Sequence, residues 1–173
     1  MSIFLVTGGA RSGKSRYAEE RCLKLAGDPV YIATSEVFDD EMAERVSLHR
    51  QRRDARWQTI EEPLDLTGAL LRSDGQGPRL VDCLTLWTSN LLLAEQPVED
   101  HAKTLVAALS RQTSPVILVT NEVGLGIVPD NALARRFRDE AGRLNQMVAA
   151  VADEVVFCVC GLPMWVKGGQ RAG

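Results

Sequence analysis

The sequence lacks a basic excess: 20 Lys and Arg stand against 23 Asp and Glu, for a net charge of -3 and a pI near 5.5. Nucleic-acid-binding domains carry clustered positive charge, so the balance weighs against that class while leaving room for a local basic patch. No apolar run approaches the roughly 20 residues that a membrane-spanning helix needs. Met1-Ser2-Ile3-Phe4 enters an apolar segment with no basic stretch ahead of it and no small-residue cleavage site behind it. The start therefore does not read as a secretory signal peptide. The four cysteines, Cys22, Cys83, Cys158 and Cys160, contain no C-x-x-C pair. Their pattern argues against zinc and for a cytoplasmic setting with reduced thiols. Cys158 and Cys160, two apart, are expected as packing residues on one face of a strand. Internal repeats and interdomain linkers are also missing, and the stretch 73–78 reads as a loop before a strand.

What is present suits one soluble α/β domain. The length of 173 residues falls in the single-domain range, and 45% hydrophobic with 25% charged residues is ordinary for a globular protein. Runs rich in Val, Ile and Leu at 3–7, 30–34, 80–84, 116–120 and 154–159 do not alternate with polar residues. Strands covered on both faces of a parallel sheet look like this. Between them lie helical patterns: 15–26, closed by Gly27; a charged stretch at 39–53; a short one at 64–71; one carrying Trp87 and 91–93; one near 102–109; and 131–151. In the last, Leu133, Phe137, Ala141, Leu144, Val148 and Val151 mark one face, and Pro129 and Asp130 supply start signals. The alternation predicts a mostly parallel sheet flanked by helices, with ligands at the carboxyl ends of the strands.

Gly8-Gly9-Ala10-Arg11-Ser12-Gly13-Lys14-Ser15 matches G-x-x-x-x-G-K-[ST] between an apolar strand and a helical pattern. The glycines let the backbone turn tightly and aim N–H groups at phosphate oxygens. The following helix directs its positive end at the same anion. Lys14 is expected to reach the β- and γ-phosphates, and the Ser15 hydroxyl to ligate Mg²⁺. Asp82, ending a neighbouring apolar run, is a candidate magnesium-side partner, held against the plainer reading of an acidic strand end without special role.

The stretch 39–53 places acids first and bases last, which suits the helix dipole. Arg45, His49 and Arg52 or Arg53 fall on one helical face. Arginines nearby disfavour protonated histidine, leaving a neutral, nucleophilic His49, and could neutralise phosphate charge in a transition state. The residues alone favour a solvated helix histidine. His101 reads as a surface residue near a helix start.

Taken together, these motifs resemble the bifunctional adenosylcobinamide kinase / adenosylcobinamide-phosphate guanylyltransferases. The resemblance runs through Thr7 to Arg16, Tyr31-Ile32-Ala33-Thr34-Ser35, Asp40-Glu41-Met42, Arg45 and His49. It continues through Thr120-Asn121-Glu122-Val123-Gly124, Gly126-Ile127-Val128-Pro129, Phe137-Arg138-Asp139 and Gly142-Arg143-Leu144-Asn145-Gln146. It implies two reactions of cobalamin assembly: phosphorylation of adenosylcobinamide by ATP or GTP, and transfer of GMP from GTP to the resulting phosphate through a phosphoramidate on His49. It implies nucleotide contacts at Ala33, Thr34, Ser35, Arg50, Gln51, Arg52, Arg53, Glu61 and Asp82. Asp82 is shorter than the Glu also used there, and 50–53 is more basic than the resemblance leads one to expect. It further implies a single RecA-like P-loop NTPase domain over 1–167 and a homotrimer; the Gly-rich end at 168–173 reads as a flexible tail, and the size of the corrinoid points to a wide cleft between subunits. Nucleic acid and a stable membrane anchor are not among the expected partners. Two other readings stand beside it. One is a P-loop kinase of another small metabolite, with His49 passive. The other is a GTP switch, disfavoured because Asn121-Glu122-Val123-Gly124 does not supply N-K-x-D.

Overall fold

The computed structural model describes residues 2–35 and 55–169. The charged stretch at 39–53, with His49, and residues 170–173 lie outside the described residues. In chain order the elements are β1 (Ile3–Gly8), α1 (Lys14–Leu23), β2 (Val30–Ala33), β3 (Gln58–Glu61), α2 (Leu66–Arg72), β4 (Arg79–Asp82), α3 (Leu84–Leu93), α4 (Val98–Leu109), β5 (Val116–Val119), α5 (Ala132–Val151), β6 (Glu154–Val159) and β7 (Leu162–Lys167). They build a seven-stranded sheet of order β3-β2-β4-β5-β1-β6-β7, parallel except for β6 with β7.

The apolar runs end up between two layers because successive side chains leave a strand on opposite faces. Ile3, Leu5, Val30, Ile32, Val81, Val116 and Leu118 face α2, α3, α4 and α5. Phe4, Val6, Tyr31, Ala33, Leu80, Ile117 and Val119 face α1. Both faces are covered, which is why these strands carry no polar alternation.

The five expected strands are present, and the structure adds two. β3 is a short edge strand, exposed at Gln58, Thr59 and Glu61, so it has no apolar run to betray it. β7 is exposed along its length and holds Pro163, which an edge strand tolerates. Contrary to the expectation from their spacing, Cys160 does not share a strand face with Cys158. Cys160 (φ 52) and Gly161 (φ 79) turn the chain back, and Val159 pairs with Leu162 across that two-residue loop. Trp165 of β7 lies 5.5 Å from the Arg21 guanidinium, which also sits over Phe4 and pairs with Glu154 at 2.6 Å.

Helix ends differ too. α1 stops at Leu23 because the Lys24 and Leu25 N–H groups turn in to Arg21 and Cys22, three residues back, so Gly27 is not its cap. α5 is capped by the Asn131 side chain, which accepts from the Ala134 N–H at 2.7 Å. Its middle buries Ala141, Leu144 and Val148, while Leu133 in the first turn stays 55% exposed.

At the amino ends of β4 and β5 a fully buried Arg79 donates to the Ser73 and Ser114 carbonyls and to Asp74 Oδ1 at 2.6 Å. Burial pushes the Asp74 carboxyl up, but hydrogen bonds from the Ser114 N–H, Arg79 and the Thr113 N–H and hydroxyl outweigh it and hold the group well below the usual carboxylate range. Asp74→Ala would strand a buried guanidinium and is expected to cost about 3 kcal/mol in urea unfolding. Because the folded value is depressed, Asp74 stabilises the fold above its unfolded value near about 3.9 and loses that contribution as pH falls. The variant should therefore lose less stability than wild type between about pH 5 and pH 2.

Candidate nucleotide site

Parallel register places Glu61, Ala33, Asp82, Val119 and Val6 in one row across the sheet, each at or near the carboxyl end of its strand. The phosphate loop emerges from β1 just beyond that row. Gly13, at φ 88, caps α1 in a left-handed conformation that makes no side-chain hydrogen bond to the helix start. The first-turn N–H groups of α1 thus have no side-chain cap, the state that a phosphate-binding helix start requires.

Lys14 is only 9% exposed and folds back to donate to the Gly9 carbonyl at 3.1 Å. The Ser12 hydroxyl is buried and has no hydrogen-bond partner among the described residues. Buried hydroxyls are rarely left unpaired, so an orphan in this loop fits a phosphate oxygen as its missing acceptor. Ser15 is half-buried in the first turn of α1. Asp82 leaves β4 on the α1 face, two residues after Leu80, and accepts from the Tyr31 hydroxyl at 3.1 Å. Ser15 and Asp82 therefore approach the loop from the same side of the sheet. Among the described residues no three His, Cys, Asp or Glu side chains converge as a metal cage.

Ala33 ends β2, and Thr34 and Ser35 follow it directly. The Thr34 hydroxyl donates to the Cys83 carbonyl at 2.7 Å and accepts from the Cys83 N–H at 2.8 Å. It is spent on joining β2 to the start of α3. Sequence reasoning missed what holds these pieces. Asn90, buried in α3, donates to the Thr34 carbonyl at 2.7 Å and the Pro63 carbonyl at 3.1 Å, tying the ends of β2 and β3 together. Its only signal was an Asn placed directly before the apolar run Leu91-Leu92-Leu93. Beyond β5, Thr85, Thr120, Asn145 and Asn121 close a ring. Thr120 donates to Asn145 Oδ1 at 2.8 Å, so the Thr85 hydroxyl, 3.3 Å away, donates to Thr120. The Asn121 N–H donates to Thr85 at 2.6 Å, and Asn145 reaches the Asn121 carbonyl at 3.4 Å. Residues 120–124 and 142–146 carried the resemblance, but a network between β5, α3 and α5 has no signature along the chain.

The loop, Ala33-Thr34-Ser35, Glu61 and Asp82 are thus gathered at one edge. His49, Arg50, Gln51, Arg52 and Arg53 lie outside the described residues. The profile of the cobinamide kinase / cobinamide phosphate guanyltransferase family matches residues 4–166. The chain belongs to the cobinamide kinase / cobinamide phosphate guanyltransferase family.

Within that family this chain is similar to the bifunctional adenosylcobalamin biosynthesis protein CobP of Pseudomonas aeruginosa, at 48% identity over 95% of this chain and 96% of the relative. It is similar to the protein of the same description, CobU, from Salmonella typhimurium, at 46% over 95% and 99%. Among solved structures, the flagellar accessory protein FlaH of Methanocaldococcus jannaschii superposes with a TM-score of 0.54 at 10% identity, covering 98% of this chain and 82% of that one. That likeness concerns the fold alone, which is that of the P-loop NTPases.

Lys14→Ala should retain the wild-type melting temperature, since Lys14 makes one bond to a loop carbonyl, and weaken GTP binding by about 2–5 kcal/mol in calorimetry. Burial pushes the Cys22 thiol up to about 12, and burial with the neighbouring Asp82 carboxylate does the same to Cys83. Burial also raises Cys158, against the pull of Lys14. Iodoacetamide on the folded protein should therefore label exposed Cys160 alone, and all four thiols only after unfolding, as read by mass spectrometry.

Proposed function

We propose that this chain phosphorylates adenosylcobinamide and transfers GMP from GTP to adenosylcobinamide phosphate, with His49 carrying the GMP. The observation that carries the reading is the coincidence of a family match over 4–166 with a phosphate loop whose orphan Ser12 hydroxyl, Lys14 and uncapped helix start await an anion.

In the transfer reaction a neutral His49 nitrogen attacks the α-phosphorus of GTP. The bond from that phosphorus to the bridging oxygen breaks, and pyrophosphate leaves with the electron pair. The phosphate loop receives the leaving group: Lys14 and the first-turn N–H groups of α1 compensate its growing charge. A phosphate oxygen of the corrinoid substrate then attacks the phosphorus, the P–N bond breaks, and adenosylcobinamide-GDP forms while His49 regains its lone pair. Covalent capture divides one hard displacement into two easier ones. In the kinase reaction the substrate hydroxyl oxygen attacks the γ-phosphorus of ATP or GTP, the bond from that phosphorus to the β–γ bridging oxygen breaks, the nucleoside diphosphate leaves with the electron pair and the hydroxyl proton passes to solvent; positioning with charge compensation by the same loop dominates. Ser15 and Asp82 would hold a magnesium ion, which would supply further screening of the phosphate charge.

Glu61, Ala33 and Ser35 contact the nucleotide beyond its phosphates, and Thr34, buried with its hydroxyl, N–H and carbonyl all engaged, shapes that part of the site by holding the chain between Ala33 and Ser35. Arg50, Gln51, Arg52 and Arg53 follow the nucleophile and meet the same nucleotide. The active form is a homotrimer in the cytoplasm. The exposed apolar row Leu162, Met164 and Val166 on β7 offers surface for subunit contact, and the free thiols suit a reducing compartment.

Incubation with GTP labelled at the α-phosphate, quenched without acid, tests the reading. Acid-labile label on wild type, absent from His49→Ala and from a γ-labelled control, is the expected result. Absence of label with GTP binding intact would remove His49 as nucleophile and leave a P-loop kinase.

A further inference from the structure

We propose that the Cys160–Gly161 turn between β6 and β7 is a positioning element of the nucleotide site, setting the direction of the phosphate loop's backbone donors. The proposal rests on the reading that this loop binds GTP. The turn and the strand end before it meet the loop at three of its residues. The Gly161 N–H donates to the Ser12 carbonyl at 3.0 Å. A Cβ on Gly13 would come 2.9 Å from Gly161 Cα, and one on Gly8 would come 2.7 Å from the Cys158 carbonyl. Gly8 and Gly13 are therefore required for close approach to β6 and its turn, besides any need of the phosphate itself.

The consequence for binding follows from peptide geometry. In a trans peptide the N–H points opposite to the C=O of the same unit. Holding the Ser12 carbonyl toward Gly161 aims the Gly13 N–H the other way, to the side of the loop away from β7. The Ser12 N–H is itself tied to the Gly9 carbonyl at 3.3 Å, so both peptides flanking Ser12 are held, and with them the direction of its unpartnered hydroxyl. A donor aimed in advance costs no reorganisation when the phosphate arrives.

The turn does this only in one backbone state. A two-residue loop with positive φ at both central positions matches the twist of an antiparallel pair. Cys160 at φ 52 and Gly161 at φ 79 supply it. Cys is a poor choice there, so Gly161 bears the conformational demand.

A matched pair of variants separates positioning from mere strain. Gly161 and Gly75 have nearly the same φ, 79 and 84, and an added Cβ meets nothing within 4 Å at either. Gly75 also donates its N–H, to Ser114 Oγ, but in the loop before β4 at the opposite end of the sheet. Gly161→Ala and Gly75→Ala should lower the melting temperature alike. Gly161→Ala should weaken GTP and inorganic pyrophosphate binding by about tenfold or more, raising the GTP KM more than it lowers kcat. Gly75→Ala should leave affinity within about twofold of wild type. Gly161→Asn, which accepts the left-handed backbone, should restore affinity to within about threefold. Equal affinities for Gly161→Ala and Gly75→Ala would overturn the proposal. Amide exchange on wild type gives a reading that needs no variant. The Gly161 N–H should be protected by about tenfold or more although its turn is exposed, and slower still with pyrophosphate bound; exchange at the rate of an unbonded turn amide would overturn it. Failure of wild type to bind GTP would instead remove the phosphate-loop reading, and this one with it.

Discussion

Between the last residue of β1 and the first of α1 the chain has five residues in which to reverse from strand to helix, and Gly13 makes this possible by adopting φ 88. The rest of the site depends on that reversal. It points the start of α1 at the space above the sheet, leaves the first-turn N–H groups without a side-chain cap, and puts Lys14 inside rather than on the surface. A residue with a Cβ at that position would meet both a disfavoured backbone and the Gly161 backbone. The same glycine therefore serves the conformation and the packing.

A loop so exposed to strain needs firm surroundings, and the sheet provides them through polar bonds at its carboxyl edge. The β1–β5 ladder continues past β5, with the Thr120 N–H on the Val6 carbonyl and the Glu122 N–H on the Gly8 carbonyl at 3.1 Å. The Thr85, Thr120, Asn145 and Asn121 ring and the two bonds of Asn90 fix the chain exits from β5, β2 and β3. Buried polar networks of this kind are stabilising when every member is satisfied. At the amino edge the arrangement is different in purpose: Arg79 and Asp74 tie loops to one another far from the ligand end.

Much of the fold was legible because its physics is local. Val-, Ile- and Leu-rich runs without polar alternation identify strands buried on both faces, and five of them were found within a residue or two of their observed ends. The phosphate loop was legible for a similar reason, since its chemistry needs adjacent residue types. β3 and β7 were not. One is polar and the other exposed, so neither has the burial that leaves a pattern. Gly27 looked like a helix cap, but the N–H groups of Lys24 and Leu25 had already closed α1 onto carbonyls three residues back.

The sequence by itself determined that a phosphate-loop motif stands at Gly8 to Ser15 and that the apolar strands form a mostly parallel sheet covered on both sides. Both follow from residue types that are neighbours along the chain. Only the tertiary structure decided that the Thr34 hydroxyl is spent on Cys83, that Asn90 joins two strand ends, and that Gly161 rests on the phosphate loop. Those pairs are 49, 56 and 149 residues apart. Hydrogen bonds over such separations exist only once strand order and register have brought their partners together, and no spacing along the chain encodes them.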